Sequence, residues 1–372
     1  MAVSQHLKRA VVSSRFINSL NTPLNHHFTT STARTMLLPE KIKAVIQPDV
    51  NSTGLEESMI PTPVAKGTDY LVKVNATAPC PRERNWPALY PDLFPASALR
   101  VPGTEGAGVI ITTPAEGKFH VGNDVFYRTD AWLPGSMAEY IVVPEENLAR
   151  KPASLSWTEA AATPLSSLTA WQGLFEHGTL DPAALSYSPD PAALDHNSKM
   201  RVLVTGAAGA VGTWALTFAS AAGAGAVVAV CSGGKAAAAR AAGATEVVDY
   251  TSTSVDKWVA EDPHRAVDLI LDCVGADLDK YWSAIKPGGA FLSMVADPTA
   301  AKPEGMDKTL AASKWYLVQP RGSDLSNIGA LIDRKGWKPL IDSVVPFAQF
   351  AQAFDKVDSG RTKGKVVITV PE

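Results

Sequence analysis

The chain has 372 residues, 46% of them apolar and 19% charged, and its 34 basic and 37 acidic residues nearly cancel to a net charge of −3. That apolar content excludes wholesale disorder, and the length suits two domains at roughly 100–200 residues each. The mixed charge leaves no broad cationic footprint for a nucleic-acid backbone, and the scattered Cys80, Cys231 and Cys273 build neither a disulfide framework nor a four-cysteine zinc lobe.

Residues 1–39 contain Lys8, Arg9, Arg15 and Arg34 but no Asp or Glu, so the body that follows carries a net charge of −7. Val3, Leu7, Ala10 and Ile17 can share one helical face beside Lys8 and Arg15, the pattern of an organelle-targeting presequence. We read the segment as a mitochondrial address; the alternatives are a disordered extension, or a start at Met36 and a cytoplasmic protein. From 40 to 150, short alternating runs (KIKAVI, YLVKVNA, GAGVIIT, DVFYR, AEYIVV) separated by Pro and Gly predict a compact, mostly antiparallel β domain. DPAAL occurs twice, at 181 and 190, amid Ser and Pro, and reads as a surface loop between domains.

Residues 202–234 carry no charge and are long enough to cross a bilayer. Glycines split them into VLVT, a Gly/Ala turn, an Ala-rich helix and AVVAVC, which is a buried βαβ unit and not a membrane span. Strands at 201–205, 226–231, 245–248, 267–272 and 290–296 alternate with helices around 211–222, 235–242 and 277–286, predicting a doubly wound α/β domain with a parallel sheet. The terminal KVVITV, after a helix near 347–358, has the character of the first domain. We expect 40–165 with 340–372 to form one discontinuous β domain around a nucleotide-binding domain at 166–339.

VTGAAGAVG, Val204 to Gly212, lies between a predicted strand and helix. Gly206 and Gly209 permit a tight turn and close approach of a pyrophosphate, and Gly212 permits close helix–sheet packing. The exposed amides at the helix start, among them those of Ala208, Ala210 and Val211, favour an anion. The bland alternative is a structural glycine turn. A site for NAD wants an acidic residue after the second strand, but the chain there reads Val230, Cys231, Ser232, Gly233, Gly234, Lys235. With a hydroxyl and an ammonium in place of a carboxylate, a 2′-phosphate is welcome and NADPH is the expected cofactor. Lys235 could also be an ordinary solvated helix residue.

With these motifs in hand, residues 40–372 resemble the medium-chain dehydrogenase/reductase superfamily, specifically its zinc-independent, zeta-crystallin-like quinone reductase branch. The resemblance is carried by VPGTEGAGVI (101–110), VGNDVF (121–126), GSMAEYIVVP (135–144), EAAATPLSSLTAW (159–171), VTGAAGAVG, AAGATEVVDY (241–250), DCVG (272–275), KPGG (286–289) and the terminal GKVVITV. It implies a Rossmann doubly wound sheet plus a discontinuous GroES-like antiparallel β domain. It also implies that Ser232, Lys235 and Tyr250 hold the 2′-phosphate, that Thr169 contacts the nicotinamide, and that Cys273, Val274, Gly275 and Met294 line its side. A homodimer, formed edge to edge near Trp315 to Val318, is implied as well.

Zinc-using members of the superfamily need a Cys, His, Cys set. Cys80 falls at the first ligand, but Thr104 stands in the GTE segment where the family has the His of GHE, and the third position falls at about Leu165. We therefore expect no metal, with Cys80 a buried thiol in the pocket wall and the substrate an intrinsically good hydride acceptor, a quinone or an α,β-unsaturated carbonyl. After the VKV strand the branch's Asn is lost, and the chain reads Cys80, Pro81, Arg82, Glu83 and later Tyr90, Pro91. Tyr90 is a candidate proton donor to the enolate, or else a half-buried aromatic of a Pro-rich loop. Two alternatives stay open: an enoyl thioester reductase of fatty-acid or polyketide synthesis, and an NADPH-binding structural or nucleic-acid-binding protein with little turnover.

Overall fold

The computed structural model describes residues 38–94 and 99–371, so the expected targeting segment lies almost wholly outside the described residues. Seven strands build the upstream part: β1 (Lys41–Ile46), β2 (Glu56–Pro61), β3 (Asp69–Thr77), β4 (Glu105–Thr112), β5 (Asp124–Arg128), β6 (Tyr140–Pro144) and β7 (Leu148–Arg150). Six follow in the middle of the chain: β8 (Arg201–Thr205), β9 (Ala226–Cys231), β10 (Glu246–Asp249), β11 (Val267–Asp272), β12 (Ile285–Ser293) and β13 (Ala312–Trp315). Two close the chain, β14 (Ile341–Pro346) and β15 (Lys365–Thr369).

β8 to β13 form one parallel sheet in the order β10-β9-β8-β11-β12-β13. The middles of its central strands are apolar because helices cover both faces; Val202, Leu203, Val204, Val227, Val228, Leu269, Ile270 and Leu271 are fully buried. The uncharged 202–234 stretch thus becomes β8, the helix Ala210–Ala221 and β9, and no described helix is long and apolar enough to cross a membrane. β3, β4, β5 and β7 pair antiparallel, and β15 returns from the end of the chain to pair antiparallel with β3, bringing β14 beside it. The β domain is therefore discontinuous.

A single apolar cluster runs from Phe126 and Ala149 of the β domain through Leu168 and Leu174 to Val204 and Leu271 of the parallel sheet. The helix Gly322–Lys335 also crosses the junction. A Cβ on Gly322 would stand 2.1 Å from the Leu148 carbonyl, so helix and β7 meet backbone to backbone.

Two local expectations need correction. The helix expected over 277–286 is the single turn Leu278–Tyr281, because β12 already starts at Ile285 and carries the KPGG segment as an irregularity, with Gly288 at φ 76°. The DPAAL duplication is two capped turns and not a loop. Asp181 accepts from the Ala183 amide and Asp190 from the Ala192 amide, both at 2.9 Å, and each Pro sits at the first helical position. The second copy opens the helix Pro191–Ser198, whose buried Asn197 bonds back to Asp181 and to Ala222.

Candidate active site

At the end of β8 the chain turns on Gly206, at φ 56°, where the Gly209 amide donates to the Gly206 carbonyl at 2.8 Å. Gly209 caps the helix Ala210–Ala221, and a Cβ on Gly212 would lie 2.4 Å from the Gly206 carbonyl oxygen, so only glycine lets the helix close down on the turn. Ala208, Gly209, Ala210 and Val211 are half-buried at this rim. The first-turn amides have no partner within the helix, which is how a phosphate is cradled at a positive helix end.

β9 and β10 run in parallel with Cys231 opposite Asp249, which brings Ser232, Lys235 and Tyr250 to one corner of the sheet. The Lys235 amide bonds the Ser232 carbonyl at 2.8 Å, Lys235 is exposed, and Tyr250 is 62% exposed. The expectation that no carboxylate lies here needs correcting. Asp249 comes from the next strand and stands so close that a Cβ on Gly233 would meet its Oδ2 at 2.4 Å. The Thr251 hydroxyl and amide donate to it at 2.7 and 3.0 Å and the Ser252 hydroxyl at 3.2 Å, and these bonds hold its carboxyl below the ordinary aspartate value, favouring the charged form.

On the other side of the glycine turn, Cys273 and Val274 stack directly over Gly206; a Cβ added there would sit 3.0 Å from Val274 Cγ2 and 3.4 Å from Cys273 Cβ. Val274 is 50% exposed, as is Val295 at 45%, so two aliphatic side chains offer an apolar wall at the sheet's C-terminal edge. Gly275 packs against Val295, and the Met294 amide donates to the Asp272 carbonyl at 3.2 Å. Thr169 lies on the helix Pro164–Trp171, nearly buried, with its hydroxyl donating to the Leu165 carbonyl at 2.6 Å and its own carbonyl accepting from Tyr316 at 2.9 Å. Sequence reasoning singled out Cys273, Val274 and Gly275 but passed over Asp272, on which this turn hangs. The signal was present as an acidic residue directly after the apolar run Leu269–Leu271.

In the β domain, Glu83, Glu105, Arg128 and Lys365 are buried around Cys80, and Arg100 is buried beside Glu83. Glu83 accepts from the Cys80 amide at 3.0 Å and the Gly103 amide at 2.6 Å, while Arg100 donates to the Glu83 carbonyl at 2.9 Å. Lys365 from β15 pairs with Glu105 of β4 at 2.5 Å, and the other Glu105 oxygen takes the Leu165 amide at 2.8 Å. Burial alone pulls Lys365 down, but Glu105 and Glu83 together hold its ammonium above the ordinary lysine value. Burial pushes the Cys80 thiol up to about 12, which favours the neutral thiol. Tyr90 closes the short helix Trp86–Leu89, is 37% exposed, and takes part in the loop through its amide and carbonyl.

A family model described as zinc-binding dehydrogenase matches residues 242–368, and one described as alcohol dehydrogenase GroES-like domain matches residues 66–153. A protein of Arthroderma benhamiae named "Probable zinc-binding oxidoreductase, mitochondrial" is 37% identical over 90% of this chain and 98% of its own length. The chain belongs to the medium-chain dehydrogenase/reductase superfamily. The human protein named NAD(P)H oxidoreductase RTN4IP1, mitochondrial, is 31% identical to this medium-chain dehydrogenase/reductase over 72% of the chain and 70% of the relative. The solved quinone oxidoreductase of Coxiella burnetii shares the fold, with a TM-score of 0.74 at 21% identity over 89% of this chain and 100% of that one.

The superfamily fold implies a nicotinamide cofactor, and the glycine turn, the open helix start and the apolar wall fit one. The catalytic zinc of some members does not fit this medium-chain dehydrogenase/reductase. Thr104 is buried with an unpartnered hydroxyl, Leu165 offers only its amide, and that amide is spent on Glu105. Among the described residues no three His, Cys, Asp or Glu side chains gather as a ligand set.

Proposed function

We propose that this oxidoreductase passes hydride from NADPH to a quinone or an α,β-unsaturated carbonyl without zinc. The observation that carries the reading is the pairing of Lys365 with Glu105, where an ammonium neutralises the carboxylate beside the place a metal would need. Without a Lewis acid to polarise a simple carbonyl, the acceptor must itself be electron-poor. The nicotinamide supplies the hydride when bound; the chain supplies the phosphate cradle at Gly206 to Gly212, the apolar wall of Val274 and Val295, and a dry neighbourhood around Thr169. Ser232, Lys235 and Tyr250 hold the 2′-phosphate in this reading, with the Lys235 ammonium set against the charged Asp249 carboxylate beside Gly233. Tyr90 is the proton donor of this reading.

The test is NADPH oxidation against a panel of quinones, enones and crotonyl thioesters, before and after exhaustive chelation. Turnover of quinones or enones that survives chelation supports the proposal. Thioester turnover alone moves the protein to enoyl thioester reduction, stoichiometric zinc that activity requires refutes the metal-free reading, and tight NADPH binding without turnover leaves a nucleotide-binding protein. The mitochondrial names of the relatives and the basic, acid-free first 39 residues support a mitochondrial location, which import of the chain with and without that segment would check. β13 is an edge of the parallel sheet, and we propose a homodimer through it, to be read by sedimentation.

A further inference from the structure

Asp272 ends β11 with no exposed surface, and among the described residues no ion pair reaches it. Its two oxygens instead collect donors from the ends of two neighbouring strands, β8 and β12, and from the turn that follows β11. Oδ1 accepts from the Thr205 hydroxyl at 2.6 Å and the Val274 amide at 3.2 Å; Oδ2 accepts from the Ser293 hydroxyl at 2.7 Å and the Gly275 amide at 2.9 Å. Each hydroxyl has one proton and gives it to the carboxylate, so its lone pairs are turned outward. The Thr205 oxygen then takes the Cys273 amide at 2.9 Å, and the Ser293 oxygen takes the Val295 and Ala296 amides at 3.1 and 3.2 Å. Five backbone amides of two separate turns thus converge, directly or through one hydroxyl, on a single acceptor-only group.

We propose that Asp272 is a positioning residue that holds the 273–275 and 294–296 turns as one rigid wall for the nicotinamide half of the cofactor. The inference rests on the cofactor reading above and adds to it a residue that touches neither cofactor nor substrate. An amide at position 272 cannot reproduce the network. Whichever way it is flipped, its NH₂ faces a backbone N–H of Val274 or Gly275, and that donor loses its acceptor. Ser293→Ala instead frees the Val295 and Ala296 amides and takes one of its two hydroxyl donors from Asp272, while leaving the carboxylate on the Val274 and Gly275 amides.

The experiment compares binding of NADPH and of 2′-phospho-ADP-ribose, which lacks the nicotinamide, by the full chain. Asp272→Asn should weaken NADPH about tenfold or more, the effect of one unsatisfied buried donor, and leave the fragment within about twofold. Ser293→Ala should show the same selectivity, and it carries the test if the Asn variant does not fold. Equal losses for NADPH and the fragment, or full NADPH affinity in the folded variants, would overturn the inference. Failure of the unmodified chain to bind NADPH at all would instead overturn the cofactor reading beneath it.

Discussion

The C-terminal edge of the parallel sheet and the closed end of the β domain both bury carboxylates, and they satisfy them by opposite means. At the sheet edge Asp272 is met by hydroxyl and amide dipoles alone, while in the β domain Glu83 and Glu105 are met by amides and also face Arg100, Arg128 and Lys365. Dipoles fix backbone turns without adding a cation, which leaves the neighbouring anion site governed by the glycine turn and helix end. Ion pairs neutralise charge across elements far apart in the chain, here β4 and β15, and tie the start of the helix Pro164–Trp171 to the same group. A buried ion pair stabilises little against an apolar pair but is costly to half-remove, so the two regions should respond differently to substitution.

The largest contrast is expected at Lys365. Lys365→Met leaves Glu105 buried and unpaired and should cost about 3–5 kcal/mol in denaturant unfolding, most of it regained when Glu105→Gln is added. A single variant as stable as the parent would show that the pair is not what holds the β domain's end. Next comes Tyr90→Phe, which keeps the ring and removes the acidic proton. Enone kcat/KM should fall on the order of 10²-fold, and quinone turnover less, since a reduced quinone oxyanion is a weaker base than an enolate. Undiminished enone reduction would assign protonation to solvent and leave Tyr90 as loop structure.

At the opposite corner of the sheet, Lys235→Ala should weaken NADPH about tenfold and NADH little, as measured by equilibrium titration of both nucleotides. Equal losses would remove Lys235 from the 2′-phosphate site and turn attention to Asp249 as a barrier. The smallest effect concerns His177, whose ring lies 3.3 Å from Lys314 and whose pKa is lowered first by burial and then by that ammonium. The unfolded chain therefore binds the proton more readily, and stability should fall as pH drops below the ordinary imidazole range near 6.5. His177→Gln should flatten that part of a stability-against-pH curve; an unaltered slope would place the titrating group elsewhere.

How far the site was legible follows from how local each feature is. The glycine turn could be read because its three glycines, strand and helix lie within a few residues of one another, and β8, β9 and β11 fall where their apolar runs place them. Cys80, Thr104 and Leu165 could be named from motif positions, but the Lys365–Glu105 pair that stands beside them could not, since Lys365 sits in a strand that returns from the far end of the chain.

By itself, then, the sequence determined the fold class and the glycine turn, because period-2 runs, βαβ alternation and glycine turns are short-range patterns. Tertiary structure alone decided what stands beside that turn. Parallel pairing sets the ends of β8, β11 and β12 side by side, so Thr205, Asp272 and Ser293 meet although 67 and 21 residues separate Asp272 from its two hydroxyl donors. The same pairing places Asp249 against Gly233 on the neighbouring strand end, a carboxylate that reading along the second strand did not reveal. Residues at the ends of parallel strands are neighbours only across a crossover of a dozen or more residues, and no periodicity within one strand records what its neighbour presents there.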